Sequence, residues 1–417
     1  MDISVIGLGY IGLPTAALLA SKGHDVTGVD IDESIVEIIN SGKIHITEPG
    51  IADLVKDSVK SKKLKASTSL SKSDVFLIAV PTPFIEKEGK KTPNIQYILN
   101  AVESIAPVIK KGDLVILEST SPIGTTDIIN EKLSSLRKDI SFPCSKNLQA
   151  DIAIAYCPER VIPGETIKEL QANSRVVGGI SNNCSKAAKK FYELFVQGDV
   201  IETNAKTAEM AKLAENASRD VQIAFANELS MVAHQAEVNI WELIDLINLH
   251  PRVNVLQPGP GVGGHCIAVD PWFLISDYPK TSKLMAKARE INDEKINWVT
   301  EEVKKLVHKY REENKHVDKV KVACFGLTYK KDTDDLRESP ALKITEELSN
   351  DINIEIIAVE PNINVSNLKG LKIYSTEEAF EIAEVSVMLV DHMAFPSTSP
   401  TKYYIDTRGI WSSQKNN

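Results

Sequence analysis

ISVIGLGYIG, residues 3–12, joins a short aliphatic run to the pattern G-x-G-x-x-G. The run predicts a buried strand, and the glycines permit a tight turn that brings the backbone close to a phosphate at the start of a helix. Asp30 ends the next aliphatic run, at the offset where an acid accepts hydrogen bonds from ribose hydroxyls. The stretch therefore predicts a dinucleotide-binding loop, and a glycine-rich turn without a ligand is the alternative.

The acid also indicates which dinucleotide is bound. A carboxylate would repel the phosphate that NADP carries on its ribose, so NAD is favoured. The predicted contacts of the loop are Gly7, Gly9, Tyr10, Ile11, Gly12 and Asp30. Thr82, in AVPTP, and Thr120, in ESTSPIGTT, follow predicted strands at the edge where open α/β sheets bind ligands, so they are predicted cofactor contacts. Hydroxyls that merely cap turns would give the same pattern.

Aliphatic runs alternate with helical segments through the first half of the chain, which predicts a parallel α/β sheet. The predicted strands are Ile3–Gly7, Asp25–Asp30, Val75–Ala79, Leu114–Glu118, Ile152–Tyr156 and one near Arg175–Gly178. From about Asn204 to Gln235 the chain has neither proline nor glycine and carries apolar residues at helical spacing. This pattern predicts an unusually long helix, a spine between domains or subunits.

A second α/β pattern follows the charged stretch KYREENKHVDK, which comes after a loop rich in proline and glycine and more helix to about Tyr310. Its predicted strands lie in VKVACFGL, IEIIAVEP, VSVMLVD and YYIDTRG. We therefore predict an α/β protein with two Rossmann-like domains, residues 1–203 and 311–417. A helical middle domain with the long spine helix, residues 204–310, joins them.

Composition excludes several classes of protein. The 417 residues carry a net charge of −9, which argues against nucleic acid as a partner. No apolar run approaches the roughly 18–20 residues of a membrane span, and no basic leader precedes the first apolar run. No CxxC, HxxxH or HExxH spacing occurs, so neither a disulfide framework nor a metal site is expected. A reducing cytoplasm is the expected compartment.

Cys266 is the candidate nucleophile. It ends Gly263-Gly264-His265-Cys266 and precedes Asp270 by four residues. Small neighbours expose a sulfur, and a thiol can attack an aldehyde to give a thiohemiacetal that is then oxidised to a thioester. A cysteine tucked into a tight turn is the alternative, and Cys324, in VKVACFGL, is predicted to be a core residue.

The long helix offers partners for this thiol. Polar residues share one of its faces: Glu209, Lys212, Asn216, Arg219 and Asp220. Such a stripe usually faces solvent, and the pattern alone favours that interpretation. In the functional alternative, Lys212 and Asn216 stabilise the charge on an alkoxide or thiohemiacetal oxygen.

Three histidines also attract attention: His250, His265 and His392. His265 adjoins Cys266, but the side chains of sequence neighbours seldom face each other, so a role as base is disfavoured. No function is assigned to the other two.

These motifs together resemble the UDP-glucose/GDP-mannose dehydrogenase family along the whole chain. The matching stretches are VIGLGYIGLP, AVPTP, ESTSPIGTT, CPERVIPG, EMAKLAENASRD, HPRVNVLQPGPGVGGHCIAVDP and FGLTYKKDTDDLRESP. CPERVIPG and GVGGHCIAVDP resemble the branch that oxidises UDP-N-acetyl-D-mannosamine. Val269 stands where the glucose branch has lysine. UDP-N-acetylglucosamine and UDP-glucose are the alternative substrates.

The resemblance implies roles for individual residues. Cys266 would be the nucleophile, Lys212 and Asn216 would stabilise the oxyanion, and Asp270 with Thr120 would position a catalytic water. Glu159 would help to activate the water that hydrolyses the thioester, and Arg337 would meet the cofactor. The implied substrate contacts are Arg160, Val161, Lys212, Asn216, Arg252, Asn254, Gly263, Lys330 and Arg408, with Arg252 reaching in from the neighbouring subunit.

The resemblance also implies an overall function. A homodimer with an NAD domain, a helical dimerisation domain and a UDP-sugar domain would perform a four-electron oxidation for surface polysaccharide synthesis. Two alternatives from other classes are an NAD-sensing binding protein that has lost its chemistry and a single-step hydroxyacid dehydrogenase. The latter would need neither Cys266 nor a second Rossmann-like domain.

Overall fold

The computed structural model describes residues 1–46, 48–87, 90–144, 149–162, 164–397 and 401–411; Pro163, in the stretch CPERVIPG, lies outside them. The chain divides into two compact units, Met1–Ala214 and Glu215–Asn417. Within the described ranges, no helix has both the length and the apolar character that crossing a bilayer requires. The predicted three-domain boundaries stay a prediction.

The first unit contains an eight-stranded sheet with helices on both faces. Its strands, in spatial order, are β10 (Val200–Asn204), β9 (Arg175–Gly179), β8 (Ala153–Tyr156), β7 (Leu114–Leu117), β4 (Val75–Ile78), β1 (Asp2–Ile6), β2 (Asp25–Val29) and β3 (Leu64–Ser67). A hairpin adds β5 (Phe84–Lys87) and β6 (Lys90–Pro93). The helices are α1 (Gly12–Ser21), α2 (Glu33–Asn40), α3 (Ile51–Lys60), α4 (Gln96–Ile105), α5 (Thr125–Leu136), α6 (Thr166–Ala172) and α7 (Asn182–Tyr192).

The central strands are mostly apolar because helices cover both faces of the sheet. Ile3, Val5 and Leu77 point to the face that carries α1, whereas Phe76 and Ile78 point to the face that carries α4. The six predicted strands are confirmed to within one residue at each end, while β3 and β10 were not predicted.

One expectation about this sheet was wrong. β8 and β9 pair antiparallel, whereas every other neighbouring pair in the sheet is parallel. A strand buried on both faces has the same apolar pattern whichever way it runs, so the sequence carried no signal for direction.

The predicted long helix is confirmed as α8 (Ala205–Gln235). The second unit continues with α9 (Ile240–Asn248), α10 (Pro271–Asp277), α11 (Lys283–Glu313), α12 (Pro340–Ser349) and α13 (Thr376–Ile382). α11 extends slightly past the predicted end at Tyr310, into the charged stretch.

The second unit contains the other sheet. In spatial order its strands are β13 (Asn367–Leu368), β14 (Leu371–Tyr374), β12 (Ile354–Val359), β11 (Val320–Phe325), β15 (Val385–Met388) and β16 (Tyr403–Asp406), all parallel except β13. The four predicted strands are β11, β12, β15 and β16, so two Rossmann-like folds are confirmed. Cys324 is fully buried, as predicted, and burial raises the pKa of its thiol to about 12.

Candidate active site

The glycine loop between β1 and α1 is packed too tightly for side chains at two positions. A Cβ on Gly12 would lie 1.8 Å from the carbonyl oxygen of Gly7, and one on Gly7 would lie 2.6 Å from that of Ala79. Gly9, in contrast, has open space on its side-chain face, with nothing within 4 Å of a Cβ. α1 begins at Gly12, so a phosphate on the open side would meet the positive end of that helix.

Asp30 braces this loop. Its Oδ2 accepts a hydrogen bond from Leu8 N at 2.9 Å, and its Oδ1 accepts one from Asp32 N at 3.1 Å. A carboxylate offers about four acceptor positions, so capacity remains for ribose hydroxyls. Together with the open face of Gly9, this arrangement fits NAD.

Thr82 and Thr120 are brought together by the ends of β4 and β7. The Thr82 hydroxyl donates to the backbone carbonyl oxygen of Thr120 at 2.5 Å. This hydrogen bond joins the two turns. It is the turn-stabilising role that the sequence analysis gave as the alternative to cofactor contact for these hydroxyls. Contact of either threonine with the cofactor stays a prediction.

Lys212 and Glu159 form a buried ion pair in the first unit. Lys212 is 6% exposed, and its Nζ donates to the Glu159 backbone oxygen at 2.8 Å and to Oε1 at 3.0 Å. Val161 N donates to the other carboxylate oxygen at 3.0 Å. Burial on its own would raise the pKa of Glu159, but the charge of Lys212 and these hydrogen bonds hold it below its ordinary value. Glu159 is therefore a carboxylate at neutral pH.

The polar stripe on α8 is not the solvated face that its pattern favoured. Glu209 and Asp220 are fully buried and Lys212 is nearly so, whereas Arg219 is exposed. The correction has a simple reason. Helical periodicity shows which residues share a face but does not show whether other elements cover that face.

Glu209 caps the helix that follows ESTSPIGTT. Its carboxylate accepts hydrogen bonds from Gly124 N at 2.6 Å, from Thr126 N at 2.8 Å and from the Thr126 hydroxyl at 2.6 Å. These donors lie at the N-terminus of α5, where a negative charge is favoured. Glu209 thus fixes the start of α5, and with it the segment that carries Thr120.

A buried cluster behind Glu159 was missed by the sequence reasoning. Arg175 is 1% exposed, and its Nη1 donates to the carbonyl oxygen of Pro158 at 3.2 Å. The Tyr192 hydroxyl donates to Glu118 Oε1 at 2.6 Å, and burial raises the pKa of Glu118. The available signal was an arginine at the start of an otherwise apolar strand, RVVGG, since a charged side chain is rarely buried unless it is paired.

The Cys266 loop belongs to the second unit and packs against residues 329–338. Gly264 N donates to the Arg337 carbonyl oxygen at 2.9 Å. Gly264 has a φ of +83°, and a Cβ there would lie 2.7 Å from the Tyr329 ring. Cys266 is partly exposed, and its carbonyl oxygen accepts from Asp270 N at 2.8 Å in the turn that leads into α10. Burial raises the pKa of Tyr329 to about 12, and the nearby Asp335 and Cys266 contribute to this rise to a smaller extent.

Two predicted residues of the second unit, Asn216 and Asp270, contact each other. Asn216 Nδ2 donates to Asp270 Oδ2 at 2.5 Å, and Asp270 is 3% exposed. Nearby, Arg289 donates to Asp220 Oδ1 at 2.7 Å and to the carbonyl oxygen of Ile267 at 3.5 Å. The Asp220–Arg289 pair therefore holds the residue next to Cys266.

The predicted substrate-side cations have different surroundings. Arg408 Nε donates to Asp391 Oδ1 at 2.8 Å, and its Nη1 reaches the carbonyl oxygen of Pro258 at 3.5 Å. Arg337 is exposed and paired with Asp335 at 2.6 Å. Lys330 is exposed between β11 and α12.

The remaining predicted substrate residues lie on loops. Arg252 and Asn254 are exposed after α9, and Arg160 and Val161 follow Glu159 in the first unit. Gly263 packs closely against the backbone of residue 338, and a Cβ on Gly263 would lie 2.7 Å from the carbonyl oxygen of Glu338. Among the residues that the structure describes, no cluster of three or more His, Cys, Asp or Glu could hold a metal ion.

Known proteins match almost the whole chain. Residues 1–196, 206–294 and 323–413 match, respectively, the NAD-binding, central and UDP-binding domains of the UDP-glucose/GDP-mannose dehydrogenase family. The UDP-N-acetyl-D-mannosamine dehydrogenase of Escherichia coli strain K12 is 50% identical, with 98% of this chain and 99% of that protein covered. The NDP-N-acetyl-D-galactosaminuronic acid dehydrogenase of Ralstonia nicotianae is 49% identical, with 99% and 97% covered. A solved UDP-D-ManNAc dehydrogenase structure from Pyrococcus horikoshii is 39% identical, with a TM-score of 0.87 and 98% and 96% covered.

Proposed function

Because the chain belongs to the UDP-glucose/GDP-mannose dehydrogenase family, and is therefore an NAD-dependent UDP-sugar dehydrogenase, we propose that it oxidises UDP-N-acetyl-D-mannosamine to UDP-N-acetyl-D-mannosaminuronate. Membership confirms the resemblance that the motifs indicate. The relatives from Escherichia coli and Pyrococcus horikoshii carry the name of this activity and match nearly end to end. Val269, at the position of the glucose branch's lysine, supports the same substrate.

The observation that carries the proposed chemistry is Cys266 on its glycine-dense loop, next to a buried carboxylate, Asp270. Bound NAD supplies the hydride acceptor for both oxidations. In the first, a water assisted by Lys212 and Asp270 takes the proton of the sugar's primary alcohol as the C6 hydride leaves. Lys212, as an ammonium, and Asn216, as an amide donor, stabilise the developing oxygen charge.

In the second oxidation, the Cys266 thiolate adds to the aldehyde carbon and a C–S bond forms. The aldehyde oxygen becomes the thiohemiacetal oxygen, and loss of a second hydride gives a thioester. Glu159, kept ionised by Lys212, then accepts a proton from the attacking water, the C–S bond breaks, and the thiol is restored. The net change consumes one water and two NAD and releases one carboxylate, two NADH and three protons.

We further propose a homodimer built on the second unit. Large apolar side chains are exposed at Phe225 and Val232, one heptad apart on α8, and at Leu246 and Leu249 at the end of α9. Burying such residues against a second copy is the simplest way to remove them from water. Arg252, on the loop that follows α9, would then reach the partner's site.

The wider assignment follows from the same family. Residues 1–203 would bind NAD, residues 204–310 would form the dimer, and residues 311–417 would bind UDP. The product would enter surface polysaccharide synthesis, and the enzyme would work in the cytoplasm.

The test of the substrate is an NADH assay across a panel of UDP-sugars: the N-acetylmannosamine, N-acetylglucosamine, N-acetylgalactosamine and glucose compounds. We expect the highest kcat/KM with UDP-N-acetyl-D-mannosamine and two NADH per sugar acid. A higher kcat/KM for another sugar would overturn the substrate. The absence of NADH with every sugar, in a chain that binds NAD, would favour the NAD-sensing protein.

A further inference from the structure

The first unit defines a pattern of hydrogen bonds around the strand-end acid of a Rossmann-like fold. Gly7 N, after β1, donates to the carbonyl oxygen of Val29 at 2.8 Å. Leu8 N donates to one oxygen of Asp30 at 2.9 Å, and Asp32 N donates to the other at 3.1 Å. Asp30 is only partly buried, so its remaining acceptor capacity is open to a ligand.

The second unit repeats this pattern. Gly326 N, after β11, donates to the carbonyl oxygen of Val359 at 2.9 Å. Leu327 N donates to one oxygen of Glu360 at 2.7 Å, and Asn362 N donates to the other at 2.9 Å. Glu360 therefore occupies the position that Asp30 has in the first unit, but it is only 3% exposed.

In the second unit, His392 occupies the acceptor position on Glu360 that its counterpart Asp30 leaves open to a ligand. The residue is 2% exposed, and its Nε2 lies 3.1 Å from Glu360 Oε2. On the other side of the ring, Asp332 N donates to Nδ1 at 2.9 Å. Because Nδ1 must accept, the hydrogen sits on Nε2 and is donated to Glu360. His392 thus links a buried carboxylate to a loop amide.

Asp332 lies in the segment that carries Lys330. Its backbone has a φ of +54°, which a residue other than glycine adopts only when its surroundings hold it there. Two bonds to neighbouring residues hold it: the backbone bond to His392, and a bond at 2.9 Å in which Met393 N donates to Asp332 Oδ1. The hydroxyl of Thr333 donates to the Lys330 carbonyl oxygen at 3.0 Å, so the position of Asp332 is passed on to Lys330.

We propose that His392 is a positioning residue: backed by Glu360, it holds Asp332 in its left-handed conformation and thereby sets the Lys330 segment for the UDP-sugar. The substrate role of Lys330 rests on the proposed function. The hydrogen bond from Asp332 N to His392, with Glu360 behind the ring, is called the anchor, and it rests only on the contacts between these three residues.

Other side chains around the ring agree with this arrangement. Asn362 Nδ2 lies 2.9 Å from Nδ1, so a second donor meets the nitrogen that accepts from Asp332 N. The carboxylates of Asp332 and Glu360 lie 3.7 Å from Nδ1 and 3.1 Å from Nε2, respectively. The neighbouring carboxylate of Asp391 is paired with Arg408 at 2.8 Å and with Lys331 at 3.8 Å.

Two amide substitutions of His392 distinguish the roles of its two ring nitrogens. In His392→Asn the amide oxygen can replace Nδ1 as the acceptor for Asp332 N, whereas in His392→Gln the longer side chain places its amide nitrogen where Nε2 donates to Glu360. Hydrogen exchange of amides 329–335, without ligand, measures the anchor. We expect exchange of the Asp332 amide to be about tenfold faster in His392→Gln than in His392→Asn.

Kinetics measure the consequence. We expect the KM for UDP-sugar to rise about tenfold in His392→Gln, with kcat nearly unchanged. His308, which is exposed on α11, supplies matched controls, and His308→Asn and His308→Gln should behave as the wild type.

The outcomes separate the anchor from the proposed function. Equal amide exchange in both His392 variants would overturn the anchor, whatever the kinetics. Faster exchange in His392→Gln with an unchanged KM would support the anchor and overturn the substrate role of Lys330. Loss of kcat in both variants with unchanged exchange would also overturn the positioning role.

Discussion

Glu209→Ala tests whether one buried carboxylate on α8 holds the start of α5. The substitution removes the acceptor for three hydrogen bonds, two from Gly124 N and Thr126 N and one from the Thr126 hydroxyl. Each donor left unsatisfied in the interior costs about 1–3 kcal/mol, and water entering the vacated space recovers part of that cost. We therefore expect the free energy of unfolding to fall by about 3–5 kcal/mol.

Equilibrium urea unfolding, followed by far-ultraviolet circular dichroism, measures this change. Glu209→Gln should lose less, about 1–2 kcal/mol, because its amide oxygen keeps one acceptor while its amide nitrogen faces a donor. The neighbouring Met210 is 52% exposed, so Met210→Ala is the control and should change stability by less than about 0.5 kcal/mol. If Glu209→Ala were no more destabilising than Met210→Ala, the capping argument would be wrong.

Asp30→Ala should weaken NAD binding far more than NADP binding in a fluorescence titration, and equal binding of both would refute the ribose assignment. Cys266→Ser should bind NAD and UDP-sugar but lose steady turnover, and supplied aldehyde should not rescue it, because a hydroxyl is a poor nucleophile at neutral pH; near-normal sugar acid would contradict this. Arg252→Ala and Cys266→Ala chains, each inactive alone, should regain partial activity when they exchange subunits. Mixed dimers without activity would show that the site is not shared between subunits. Burial raises the pKa of Asp220 from 3.8 to about 6, so the folded chain binds this proton more tightly than the unfolded chain. The free energy of unfolding should therefore fall by about 2 kcal/mol as the pH rises from 4 to 6, and Asp220→Asn should remove that fall.

The sequence predicted best where one short segment contains its own explanation. The glycine loop carries its turn, its helix start and its strand within residues 3–12, and the structure shows at Gly12 why a side chain is excluded. Cys324 was identified as a core residue for the same reason, since its neighbours along the strand are aliphatic. Local information was sufficient in both cases.

Prediction failed where the partner of a residue is distant in the chain. Lys212 can be buried because it donates to the carboxylate and the backbone oxygen of Glu159. Asp220 can be buried because it accepts a hydrogen bond from Arg289. Neither partner is visible from helical spacing, so the stripe was interpreted as solvated. His392 drew attention only as one of three histidines; its contacts with Glu360 and Asp332 arise from the order of strands in the sheet.

The recurring bonds at the two strand ends also bear on how such proteins diversify. In each unit the donors are backbone amides, so the only side chain that the arrangement requires is one carboxylate, Asp30 or Glu360. A duplicated Rossmann-like unit can therefore lose nearly all sequence identity and still keep its turn. A single residue opposite the acid, such as His392, is then enough to close the ribose position and turn the acid into an internal anchor. Searches for ancient duplications should accordingly compare which amides meet the strand-end acid, and not residue identity.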